Sequence, residues 1–120
     1  MAIPSRVLGS GVNSLATVSI CGDGVDDFVA AGTSAGNATA IRYVYTSVDT
    51  TPSGSGVILP TTEMGALIVI ANSGAHSLTV YPQTGSTING TTSATIAKDH
   101  TSLFMAVSNT AWYSLNGTRT

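Results

Sequence analysis

The segment Gly32-Thr33-Ser34-Ala35-Gly36 spells G-x-S-x-G. That pattern makes a nucleophile when a tight strand-to-helix turn lifts the serine above a parallel sheet. Asp99-His100 would supply an acid and a base to such a serine. The surrounding sequence argues against it. No long helical pattern follows Gly36, no βαβ alternation is present, and a chain rich in Gly, Ala and Ser reaches this motif by chance. Asp99 and His100 fall in a turn between two strand-like segments, and His76 in the turn before Ser77. Two isolated histidines lack the spacing of zinc ligands. Asp23, Asp26 and Asp27 form an acidic cluster without the D-x-[DN]-x-[DN]-G order of a calcium loop. Turn or helix N-cap duty suits them better, with a cation shared between subunits as the minor alternative. Tyr43, Tyr45, Phe104, Trp112 and Tyr113 would line a sugar-binding face or pack in a core or interface, and packing is the commoner use. Cys21, the single cysteine, excludes an intrachain disulfide and reads as a small buried thiol. The expectation is a chain that is not an enzyme, with no catalytic residue, no metal and no cofactor.

The elements that would hold these residues are strands. Thr39 onward alternates between β-branched or aromatic runs and turn signals. Strands are expected at 40–48, 57–59, 66–71, 77–81, 93–97, 102–108 and 111–115. Pro52, Gly54, Gly56, Pro60, Pro82 and Gly85 punctuate them, and Asn89-Gly90 is a strong hairpin signal. Val25–Ala31 would make a helical turn or two, stopped at Gly32. Residues 1–20, broken by Pro4, Gly9 and Gly11, read as an extended arm with one β segment near Ala16–Ile20. The predicted organisation is an arm over 1–20 and an all-β domain over 21–120. Its predicted form is a single antiparallel β-sandwich, jelly-roll-like or barrel-like. Leu67, Ile68, Val69 and Ile70 are apolar in succession, so both faces of that strand must be covered. One cover is the second sheet. The other would be the N-terminal segment or a neighbouring copy, which predicts an oligomer.

Composition narrows the function classes. At 120 residues the chain is one domain, and 42% hydrophobic content is enough for a core. Charged residues are only 8%, while 18 Thr and 15 Ser fill the polar positions. Disordered chains need the opposite balance. The four basic residues, Arg6, Arg42, Lys98 and Arg119, are scattered, and the net charge is -2. Nucleic-acid binding needs basic clusters. The opening residues lack the apolar core of a signal peptide, and no apolar run approaches a membrane span. The Asn-x-Thr triplets at Asn37, Asn89 and Asn116 therefore read as turn chemistry. A weakly charged surface repels its own copies weakly, which suits a part packed among identical neighbours.

The stretches Leu59-Pro60, GALIVIANSGAHSLTVYPQTGSTINGTTSATIA and SLFMAVSNTAWYSL, with the lead-in Gly36–Ile41, resemble small virion proteins of tailed bacteriophages. The resemblance covers roughly residues 36–115 and leaves 1–20 unmatched. It implies a β-sandwich, often trimeric, serving as a capsid cement (decoration) protein or as a module of a head or tail fibre that binds host-surface glycan. In the cement role, trimers sit at three-fold and quasi-three-fold positions on the capsid exterior and bind the major capsid protein, after residence in the host cytoplasm. Ile3, Pro4, Val7 and Leu8 are the expected capsid or subunit contacts, because apolar residues on an arm gain by ordering on a partner. Leu67, Ile68, Val69, Ile70, Trp112 and Tyr113 are the expected core or trimer-packing residues. Neither nucleic acid nor membrane is an expected partner.

Overall fold

The structure is a computed structural model that describes Gly11 and residues 23–118. The expected arm, with Ile3, Pro4, Val7 and Leu8, lies outside the described residues, as does Cys21. Ten strands are present: β1 Gly24–Val29, β2 Thr39–Ala40, β3 Tyr45–Thr50, β4 Gly56–Ile58, β5 Leu67–Asn72, β6 Leu78–Tyr81, β7 Thr87–Ile88, β8 Ala94–Ile96, β9 His100–Ala106 and β10 Ala111–Thr118. The described residues contain no helix, and thus none long and apolar enough to cross a membrane.

The all-β character holds, but the single antiparallel sandwich does not. The strands form two mixed sheets arranged as a β-solenoid. One sheet runs β1-β3-β5-β9-β10-β7 and the other β2-β4-β6-β8. Successive strands alternate between the sheets from β1 to β6. Thus β1, β3 and β5 stack in parallel, and so do β2, β4 and β6. Each pair is one rung, and each coil takes roughly 20 residues, the short end of solenoid repeats. Antiparallel pairing enters only afterwards. β9 joins β5, β10 joins β9, and β8 joins β6, while β7 lies parallel to β10. Alternation and turn chemistry mark where strands begin and end. They do not encode which sheet the next strand enters, and here the breakers make corners between sheets.

Three local expectations change accordingly. Residues 40–48 are two strands, not one. The chain turns at Ile41–Val44, Ile41 enters the core, and β2 and β3 end in different sheets. Val25–Ala31 is not helical, because β1 gains a parallel partner in β3, and a tertiary ladder outweighs a short helical signal. Its irregularity survives as a bulge between Val25 and Phe28, with Asp27 at φ 55°. At Asn89-Gly90 both residues have positive φ, as the primed two-residue turn requires. Ile88 and Thr91 exchange backbone hydrogen bonds across it. The chain then leaves the sheet, so the turn joins β7 of one sheet to β8 of the other.

The core lies between the sheets. Thr46, Val48, Ile68, Ile70, Ser102, Phe104, Ala106 and Trp112 point inward from the six-stranded sheet. Val57, Leu78, Val80 and Ile96 meet them from the four-stranded sheet. Trp112 is fully buried, and its Nε1 donates to Thr62 Oγ1 at 3.0 Å, so its polar atom is satisfied. The corner after β5 is tied by Asn72. Its Nδ2 donates to the carbonyls of His76 and Ile96, and its Oδ1 accepts from Thr51 Oγ1 and the Gly74 amide. Gly74 is required there, since a Cβ would lie 2.1 Å from Thr51 Oγ1 and 2.7 Å from its backbone nitrogen.

Candidate docking surface

The outer faces of the two sheets differ. On the four-stranded sheet, Thr79 and Thr95 stand opposite each other. The Tyr81 ring closes over Gly56, and its hydroxyl donates to the Thr33 carbonyl at 3.1 Å. Beside Tyr81 the half-buried Ile58 and Ala40 also turn outward, so that face is mostly polar and part-covered by the loop before β2.

The outer face of the six-stranded sheet carries two apolar rows. Register places Tyr45 beside Val69, Val69 beside Leu103, and Leu103 beside Leu115. In the next row Leu67 lies beside Met105, and Met105 beside Tyr113. Alternation produces these rows. Thr46, Ile68, Ile70, Phe104 and Trp112 turn into the core, so their odd-numbered neighbours turn out. Tyr45, Leu67, Met105, Tyr113 and Leu115 are 44% to 71% exposed, and Val69 and Leu103 are half-buried. No charged side chain interrupts either row. Isolated exposed hydrophobics need no explanation, but a contiguous patch on four adjacent strands marks an interaction surface.

Of the expected packing residues, Ile68, Ile70 and Trp112 lie inside, and Leu67, Val69 and Tyr113 belong to this outer face. Within the described residues of one copy, the four-residue run is therefore apolar on both sides but covered on one. Sequence reasoning passed over Leu103, Met105 and Leu115. The signal was available: Leu103-Phe104-Met105-Ala106 is a second strand apolar on both faces, paired to the first. An open groove of about 680 Å³ borders the face and is lined by Thr87, Asn89, Gly90, Ala111, Tyr113 and Ser114. Asn89 is fixed in it by two hydrogen bonds with Ser114, at 2.7 and 3.0 Å.

The chemistry-bearing residues are placed as follows. Ser34 lies in an exposed loop, and its hydroxyl donates to Asn37 Oδ1, which also accepts the amides of Thr33 and Ser34. Asn37 thereby acts as turn chemistry. Asn116 departs from that expectation, lying in β10 opposite Ser102, whose hydroxyl donates to it. His76 Nδ1 meets the Thr51 carbonyl at 3.0 Å, and His100 Nδ1 the Lys98 carbonyl at 2.9 Å. Asp27 and Asp49 approach across β1 and β3. A hydrogen bond to Asp49 and repulsion from Asp26 and Asp49 hold the Asp27 carboxyl above its ordinary range. Among the described residues no group of three His, Cys, Asp or Glu side chains could hold a metal ion.

No protein-family model, curated protein or solved structure matches this chain.

Proposed function

We propose that this protein is a structural subunit that works docked in a larger assembly, and specifically a capsid cement protein of a tailed bacteriophage. The observation that carries the reading is the pair of uncharged apolar rows on the outer face of the six-stranded sheet. The 8% charge content and the virion-protein idiom over residues 36–115 support it. The mechanism is mass action: a protein that binds only the assembled lattice stabilises that lattice. Many copies with modest interfaces multiply the effect. In this role the protein acts as a homo-oligomer on the outside of the major capsid protein shell.

The test is copy number in purified particles of the phage that encodes it. An abundance comparable to that of the major capsid protein supports cement. Absence from the particle rejects the reading. The groove beside Tyr113 favours one second reading, a fibre module that holds host glycan between Tyr113 and the polar groups of Thr87, Asn89 and Ser114. That role gives a low copy number and glycan binding that Tyr113→Ala abolishes.

A further inference from the structure

We infer that the bare outer face of β3, β5, β9 and β10 is covered by the same face of a second copy of this chain. The inference rests on the reading of the protein as an assembly subunit, and it names the partner of that surface. Three observations select a copy over other occupants.

The first is charge. Tyr45, Val69, Leu103 and Leu115 in one row, and Leu67, Met105 and Tyr113 in the other, present no ion. The adjoining row, Ser47, Ala71, Thr101 and Gly117, is uncharged as well. A charged partner would leave its ions buried without counter-charges, whereas an identical uncharged face desolvates no ion.

The second is shape and area. Two sheets stack at about 10 Å with their side chains interdigitated. Four strands span about 19 Å and six residues run about 20 Å. Two such four-stranded faces bury roughly 800 Å², the size of a weak contact that forms only at high protein concentration.

The third is the contrast within the molecule. The outer face of the four-stranded sheet carries Thr79, Thr95 and a tyrosine whose hydroxyl is already bonded, and its apolar part is limited to Ala40 and the half-buried Ile58, so the larger bare apolar surface lies on the six-stranded sheet.

The experiment is light scattering after size exclusion on the full-length protein, up to about 100 µM. Leu67→Lys and Met105→Glu are compared with Thr95→Lys, an exposed position on the opposite sheet. All are checked by circular dichroism and thermal melting, with Leu115→Ser as a milder second probe of the face. The expected result is a mass of two chains for the wild type and Thr95→Lys, because a face that covers its own copy closes as a pair, falling to one chain in the face variants with the melt retained; a mass of three chains overturns the inference. A wild type that stays monomeric overturns the inference, whether the chain's own N-terminal residues or a foreign partner covers the face. An oligomer that survives both charge variants overturns it too. Either outcome leaves the cement reading standing or falling on particle abundance alone.

Discussion

At the scale of single residues, Asn72 holds the corner where the third rung turns. Its amide offers two donors and one oxygen with two acceptor positions, and all of them are used within the protein. Asn72→Ala keeps the backbone but strands the Ile96 and His76 carbonyls and the Gly74 amide. We expect a loss of about 2–4 kcal/mol, read as a lower urea midpoint with an unchanged slope. Thr46 gives the opposite sign. It is fully buried on β3, and its hydroxyl finds no partner among the described residues. Thr46→Val replaces that hydroxyl with a methyl of similar shape, so the variant should gain about 1 kcal/mol in the same measurement. A loss would mean that the hydroxyl has a hidden partner.

At the scale of elements, β1 is the edge strand of its sheet among the described residues. Edge strands invite pairing, and charges and bulges blunt them. β1 carries both, with Asp26 and Asp27 at a bulge and Asp27 at positive φ. The protection has a pH signature. The hydrogen bond to Asp49 and the repulsion of Asp26 and Asp49 make folded Asp27 hold its proton more firmly than the unfolded chain does. That contribution to stability is complete below the unfolded value near 3.8 and is lost as pH rises through the higher folded value. Asp27→Asn, which tolerates the same backbone, removes the titration. Its melting temperature should exceed that of the wild type at neutral pH, and the two should converge at pH 3.

The same strands show how far a sequence can be read. Leu78 and Val80 alternate with Thr79 and Tyr81, and the structure buries the first pair. Residues 66–71, 93–97 and 111–115 were legible for the same reason: local periodicity and turn residues mark strands. Direction was not legible. β3 and β5 pair in parallel because a rung through the other sheet separates them, a relation between residues some twenty positions apart that no local pattern records. Two of the seven residues of the docking surface, Leu67 and Val69, were visible in the run Leu67–Ile70, and Tyr45 and Tyr113 stood out as aromatic residues. The rest depended on register, which sets Leu103, Met105 and Leu115 beside those residues.

At the scale of the whole molecule, one package has two unequal faces, and the unequal face fixes how assembly must respond to solvent. Contacts between ions weaken when salt rises, because the screening length shrinks to about 3 Å at 1 M. Contacts between uncharged apolar rows have no such term, and sulfate strengthens them by its exclusion from protein surface. If copies meet through Tyr45, Leu67, Val69, Leu103, Met105, Tyr113 and Leu115, association measured by sedimentation should hold between low salt and about 1 M sodium chloride. It should tighten in ammonium sulfate and loosen in mild urea. Dissociation by sodium chloride alone would mean that ion pairs hold the copies together instead, with Asp26, Asp27 and Asp49 at the β1 end of one copy meeting basic residues of another.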